Sequence, residues 1–393
     1  MSDNEFIPYG RQSISIDDVE SVCQVLVSDF LTQGPKVKEF EHAVAQLSDC
    51  RFGVATNSAT SALHVACLAL GVSKGDIVWT SPNTFIASAN CALYCGASVE
   101  FVDIDPKTYN LSSIALADKL KQAELEGCLP KVVIPVHFAG HPCDMEAIYN
   151  LSVRYGFKII EDASHAIGAK YIRQAIGSQY SDICIFSFHP VKVMTTAEGG
   201  VAVTNSQEYA DKMHSLSNQG MERDPLKFQY DPPGDWYYEQ QSLGFNYRMT
   251  ELQAALGLSQ LKQLDTFISR RRELVQRYYE LLKALPIQLP TEESYAYSSW
   301  HLFPIVLNES LIQRRATIFK YLRVHNIGTQ VHYIPVHTQP YYRKLGFKWG
   351  QFPIAEDYYS RALSLPLYPN LTDQQQDYVA TILHEAIEQA NQQ

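Results

Sequence analysis

The sequence predicts an α/β fold: a mainly parallel sheet with helices on both faces, followed by a smaller α+β unit. Three observations predict it. Between residues 52 and 204, short apolar runs alternate with helical stretches, and such alternation builds a parallel sheet covered on both sides. Several of the runs are apolar without alternation, the pattern of strands buried on both faces. The chain has 393 residues, 46% of them apolar, enough for two domains and a large core without disulfides or metals.

The elements follow in order. Ile16, Val19, Val22, Val25 and Leu26 recur at helical spacing across residues 14–30, and Gln33-Gly34-Pro35 breaks the pattern. A second helix follows to about Leu47. The strand-like runs are Phe52–Thr56, Ile77–Thr80, Val99–Val102, Val132–Val136, Lys158–Glu161, Ile183–Phe188 and Gly200–Thr204. Ligands on such sheets sit at the strand ends, where loops lead into helix N-termini. After residue 206 the chain reads as polar and turn-rich, with Pro225 and Asp231-Pro232-Pro233-Gly234. A long helical stretch is expected from Thr250 to about Leu285, a strand at 301–307 and a closing helix at 373–391. The domain boundary is placed near residue 265, giving a large domain with an N-terminal arm at 1–265 and a small one at 266–393.

Bulk properties narrow the function. The net charge is −10, which argues against nucleic acid or an anionic membrane as the main partner. The eight cysteines form no CxxC pair and none follows Cys184, so reduced thiols are expected rather than a disulfide framework or zinc site. No metal is expected: His332 and His337 are not a helical ligand pair, because Pro335 lies between them. The start MSDNEFIPYG lacks a basic and an apolar leader region. No apolar run reaches the roughly 18 residues of a span. The expected location is the cytoplasm.

Four features at strand exits carry candidate chemistry. Lys192 follows the run 183–188 and precedes Glu198-Gly199-Gly200. An amine there is placed to form a Schiff base, and desolvation lowers its pKa as that chemistry needs; a surface lysine is the plainer alternative. Asp162 ends the apolar run from Phe157. A buried carboxylate needs a cation, such as a protonated ring nitrogen, or else it caps a helix. Asn57-Ser58-Ala59-Thr60-Ser61 lies between a strand and an Ala- and Leu-rich helix. Free N–H groups there hold a phosphate, or the segment is a plain N-cap. Phe85 follows the next strand and either lies on a heteroaromatic ring or belongs to the core.

These residues resemble the DegT/DnrJ/EryC1/StrS family of sugar aminotransferases over nearly the whole chain. The most specific parts are Glu161-Asp162-Ala163-Ser164-His165-Ala166-Ile167-Gly168-Ala169, Phe186-Ser187-Phe188-His189, Lys192 with Glu198-Gly199-Gly200, and Gly244-Phe245-Asn246-Tyr247-Arg248-Met249. The resemblance implies the aspartate-aminotransferase-like fold of type I pyridoxal 5′-phosphate enzymes. It implies Lys192 as the lysine that carries the cofactor, Asp162 as partner of the ring nitrogen and Phe85 as the stacked aromatic. Ala59, Thr60 and Ser187 match phosphate ligands. Asn246 matches an asparagine that reaches the phosphate of the neighbouring subunit, which implies a homodimer with shared sites.

His165 departs from the usual glutamine and is similar to the subgroup that makes a pseudaminic acid precursor. It either bonds the ring hydroxyl of the cofactor or is a satisfied histidine in a helix N-terminus. Ser81-Pro82-Asn83-Thr84-Phe85 and residues 335–342 resemble the same subgroup. The tyrosine and histidine cluster at 332–342 either contacts substrate or is a turn-rich surface. The implied substrates are L-glutamate and UDP-2-acetamido-2,6-dideoxy-β-L-arabino-hex-4-ulose. Rival expectations are another nucleotide-linked keto-sugar such as GDP-4-keto-6-deoxymannose, dehydration on the same cofactor, and a catalytically silent binding protein. Related dehydratases carry histidine where this chain has Lys192, and the silent reading conflicts with intact Lys192 and Asp162.

Overall fold

The computed structural model describes residues 6–392; Met1–Glu5, part of the segment read for a leader, lie outside the described residues. Seven strands form the main sheet: β1 Phe52–Thr56, β2 Ile77–Thr80, β3 Ser98–Phe101, β4 Val132–Ile134, β5 Lys158–Asp162, β6 Ile183–Ser187 and β7 Gly200–Thr204. Their spatial order is β1-β7-β6-β5-β4-β2-β3. Only β7 runs against its neighbours, pairing Phe52 with Thr204 and Ser187 with Gly200. The remaining pairs are parallel. The sheet is thus α/β and mainly parallel, as expected. Expected strand ends differ by a few residues. β4 stops at Ile134 because Pro135 has no N–H for the ladder, and β5 runs one residue further, taking Asp162 into the sheet.

The helices are α1 Ile16–Leu26, α2 Pro35–Leu47, α3 Ala59–Ala69, α4 Ala87–Tyr94, α5 Ser113–Glu126, α6 Met145–Tyr155, α7 Gln207–Ser217, α8 Glu251–Leu261, α9 Leu264–Leu282, α10 Arg315–Val324, α11 Pro340–Lys344, α12 Pro353–Arg361 and α13 Asp373–Gln392. Alternate residues of each strand feed opposite faces. Val54, Val78, Ile134 and Ile185 join one core with α3 and α4. Ala55, Trp79, Val133 and Cys184 join the other with α2, α5 and α6. A third core gathers Leu274, Tyr278, Phe303, Leu363, Val379 and Leu383. It is built on a small antiparallel sheet of β8 Ile287–Gln288, β9 Phe303–Leu307 and β10 Ala362–Leu365.

Two expectations need correction. The stretch after residue 206 is not all turn: α7 occupies it, with Ser206 capping Tyr209 N–H and Ala210, Met213 and Ser217 buried at helical spacing. Its polar residues hid that stripe. The long helix from Thr250 is two helices, broken at Lys262-Gln263. The break lets Ala254 of α8 face a main-sheet core while Leu274 and Tyr278 of α9 face the third. We propose the division into 1–265 and 266–393 on this change of core along α9. Ile7 packs in the third core, so the chain start reaches the C-terminal unit.

Candidate active site

A cavity of about 1450 Å³ opens where β1, β5 and β6 end. Lys192, Asp162, Ala59, Thr60, Phe85, His165 and Ser187 all line it, although up to 133 residues separate Ala59 from Lys192 in the chain.

Lys192 sits in the loop between β6 and β7. The loop is held by backbone bonds, Phe188 N–H to Gly199 O (2.9 Å) and Thr196 N–H to Phe188 O (3.0 Å), and by the Thr195 hydroxyl on Phe188 O (2.9 Å). Lys192 is half-buried, and burial of its amine lowers its pKa to about 8, against a smaller opposing pull from the Asp162 carboxylate. An appreciable share of neutral, nucleophilic amine therefore exists near neutral pH.

Asp162 is 4% exposed at the last position of β5. Its backbone is fixed on both sides, N–H to Pro135 O (2.9 Å) and carbonyl from His137 N–H (3.0 Å). Oδ1 accepts from Ser164 N–H at 3.0 Å and Oδ2 from Ser88 Oγ at 2.6 Å. It is not a helix cap: residues 163–168 form turns, not a helix.

The N-terminus of α3 faces the same space. Ser58 caps it by accepting from Ser61 N–H (3.2 Å), and Ser61 Oγ donates to Asn57 Oδ1 (2.6 Å). Ala59 and Thr60 begin the first turn, where N–H groups have no intrahelical acceptor. The close approach depends on Gly200, where a Cβ would lie 2.5 Å from the Ala59 nitrogen.

Phe85 is not a core residue; it is 56% exposed and its ring lies 6.4 Å from that of Tyr333. His165 is not in a helix N-terminus. Its Nδ1 accepts from Ala139 N–H (3.2 Å), and its Nε2 lies 3.0 Å from Tyr333 Oη. Burial, then Lys192 and His332, hold its pKa well below the usual histidine value. A neutral ring accepting at Nδ1 carries its proton on Nε2, so His165 donates to Tyr333. The phenol proton of Tyr333 is then free for a ligand. Asn246 stands apart. It is exposed on the loop before α8, its backbone bridges to Asn218, and it does not line the cavity of its own chain.

Sequence reasoning missed Ser88, Thr84 and His301 as wall residues, whereas Tyr333 belongs to the 332–342 cluster weighed as a substrate contact. Thr84 and Ser88 carried a usable signal, two hydroxyls four residues apart where a helix begins. The 332–342 segment is not a simple turn-rich surface: His332, His337 and Tyr342 are buried. His332 donates to or accepts from Ser364 Oγ (2.8 Å), and burial followed by Lys192 lowers its pKa to about 3.

The donor set fits pyridoxal phosphate. It offers a nucleophilic amine for an aldehyde, a buried carboxylate with room for a cation, first-turn amides for a phosphate and an open aromatic face for a ring. Among the described residues no cluster of three or more His, Cys, Asp or Glu suits a metal, and no helix is long and apolar enough to cross a membrane.

Fold and site together define an aminotransferase that works with pyridoxal 5′-phosphate. The chain belongs to the DegT/DnrJ/EryC1/StrS aminotransferase family, whose sequence model matches residues 12–384. It is 39% identical over 392 residues, 99% of either chain, to the spore coat polysaccharide biosynthesis protein SpsC of Bacillus subtilis. Among solved structures it is similar to Helicobacter pylori PseC, an aminotransferase involved in the biosynthesis of pseudoaminic acid. The TM-score is 0.89 at 29% identity, over 98% of this chain and 100% of that one. Spr1654 of Streptococcus pneumoniae in its PMP form gives the same score, identity and coverage. Its PLP form gives 0.88 at 28%, over 98% of this chain and 99% of that one.

Proposed function

We propose that the protein moves an amino group from L-glutamate to C4 of UDP-2-acetamido-2,6-dideoxy-β-L-arabino-hex-4-ulose. The product is UDP-4-amino-4,6-dideoxy-N-acetyl-β-L-altrosamine. The observation that carries this is the convergence of Lys192, Asp162 and the α3 N-terminus on one cavity of about 1450 Å³. That volume exceeds the ~300–1,000 Å³ of ordinary ligand pockets, leaving space for a nucleotide-linked sugar beyond the cofactor. The likeness to PseC supports the choice of sugar.

Pyridoxal phosphate supplies the electron sink and carries the amino group between the two substrates. The chain supplies the rest. Lys192 would hold the cofactor at rest and, once freed, would move a proton from the α carbon of glutamate to the cofactor's C4′ carbon, and in the second half-reaction from C4′ to C4 of the sugar. Its lowered pKa makes it a base at working pH. Asp162 holds a proton on the ring nitrogen. Ala59, Thr60 and Ser187 would hold the phosphate, Phe85 would pack on the ring, and the His165–Tyr333 pair would present a donor to ligand oxygen.

Asn246 completes the phosphate site of a second copy, which makes the enzyme a homodimer. Support comes from exposed apolar side chains on and after α1 (Ile16, Val19, Leu26, Val27) and on the 226–243 loop (Leu226, Trp236, Leu243), the kind of side chain that a partner would cover. The reading places the enzyme in the cytoplasm, with neither nucleic acid nor membrane as partner.

The test is a panel of UDP-, GDP- and dTDP-linked keto-sugars with glutamate, read by product mass. The UDP-linked L-sugar is expected to turn over fastest. A faster GDP- or dTDP-linked substrate would move the protein to another branch of the family. No 420-nm-region absorbance and no turnover at all would favour a silent binding protein.

A further inference from the structure

Ser88 is fully buried in the first turns of α4, and its hydroxyl does something unusual for its place. The N-cap residue of α4, Ile86, makes no side-chain capping bond. A serine two residues in would ordinarily help by bonding back to the helix. Ser88 Oγ does lie 3.3 Å from Phe85 O, yet it lies only 2.6 Å from Asp162 Oδ2. A hydroxyl has one proton. The shorter contact to a charged acceptor takes it, because charge-assisted bonds are the stronger ones. Thr84 Oγ1 sits 2.8 Å from Ser88 Oγ. Since Ser88 has given its proton to Asp162, Thr84 must be the donor in that pair. The result is a directed chain, Thr84 to Ser88 to Asp162, starting in the turn that also places Phe85.

We propose that Ser88, oriented by Thr84, is a positioning residue that fixes the rotamer of Asp162 and biases the proton shared with the cofactor's ring nitrogen toward that nitrogen. This rests on Asp162 being the ring-nitrogen partner. A donor on Oδ2 holds the carboxylate by a short, charge-assisted bond, so its rotamer does not drift from the ring nitrogen. With Ser164 N–H on Oδ1, the carboxylate is held from both ends where it lines the cavity. The turn from Thr84 to Ser88 thereby ties the aromatic that covers the ring to the charge that polarises it.

The test uses the full-length holoenzyme loaded with cofactor labelled at the ring nitrogen. In Ser88→Ala the ring-nitrogen NMR resonance moves toward the unprotonated position, and kcat falls by about tenfold while KM for glutamate changes by less than about threefold. Ser88→Thr, which keeps the hydroxyl, restores the resonance. If Ser88→Ala does not fold, Thr84→Val serves and moves the resonance the same way by a smaller amount. An unmoved resonance in a folded, loaded variant overturns the proposal. If the wild-type resonance already sits at the unprotonated position, the Asp162 reading itself fails, and the two failures are told apart in one experiment.

Discussion

The inner and outer walls of the cavity are built differently. On the inner wall, Asp162 accepts from Ser164 and Ser88, His165 is gripped by Ala139 and Tyr333, and Lys192 rides a loop pinned by Thr195 and Thr196. These groups sit at or just beyond the ends of rigid strands. On the outer wall, Tyr94 and Tyr341 are 55% and 58% exposed, at the end of α4 and the start of α11. The contrast separates two tasks. Proton transfer needs groups held within a fraction of an ångström, whereas choosing a sugar nucleotide is left to side chains on element ends and loops.

If that division is right, inner-wall changes strike kcat and outer-wall changes strike KM. The largest effect among substitutions is expected from Asp162→Asn. Turnover falls by about 3 kcal/mol, roughly a hundredfold, because the electron sink weakens, while the cofactor still binds. Near-normal kcat in a folded variant would break the comparison at its strongest point. Asn246→Ala comes next. Loss of a bond to a charged phosphate weakens cofactor affinity by about tenfold to a hundredfold, measured by absorbance titration. At a cofactor concentration where neither variant turns over alone, mixing this variant with Lys192→Ala should restore activity through hybrid dimers in which one site has both residues. No recovery in verified heterodimers would mean that Asn246 serves its own subunit. The smallest effect is expected from Tyr341→Ala, a rise in KM for the sugar nucleotide of about five- to tenfold with little change in kcat. A drop confined to kcat would place Tyr341 with the inner wall.

The sequence made the inner wall more legible than the outer, for a physical reason. Strands buried on both faces leave uninterrupted apolar runs, so β1, β2 and β7 are found at their true limits, and the polar residues at strand exits, Asp162 and Lys192, stand out against them. Ser88 and Tyr333 stand out less, carrying only a pair of hydroxyls at a helix start and a place in the 332–342 cluster. Their meaning lies in contacts across 74 and 168 residues of sequence, which no local pattern encodes. The same holds for His165. Its residue type signalled a departure, but only the fold shows that both nitrogens are engaged and that Tyr333 lines the cavity beside it. Helix α7 was hidden by its composition, and the break between α8 and α9 by two residues with no breaker among them.

The central claim is that Lys192 holds the cofactor by virtue of its buried, weakly basic amine. Borohydride reduction of the loaded protein, followed by digestion and mass analysis, tests it directly. A pyridoxyl adduct on the Lys192 peptide is expected. The neutral amine is the nucleophile and burial disfavours the charged form, so capture by cofactor-free protein should speed up with pH and level off above about 8, not near the ~10.4 of an exposed lysine. An adduct on Lys158 or Lys170, or capture that keeps rising to pH values typical of exposed lysine, would contradict the account.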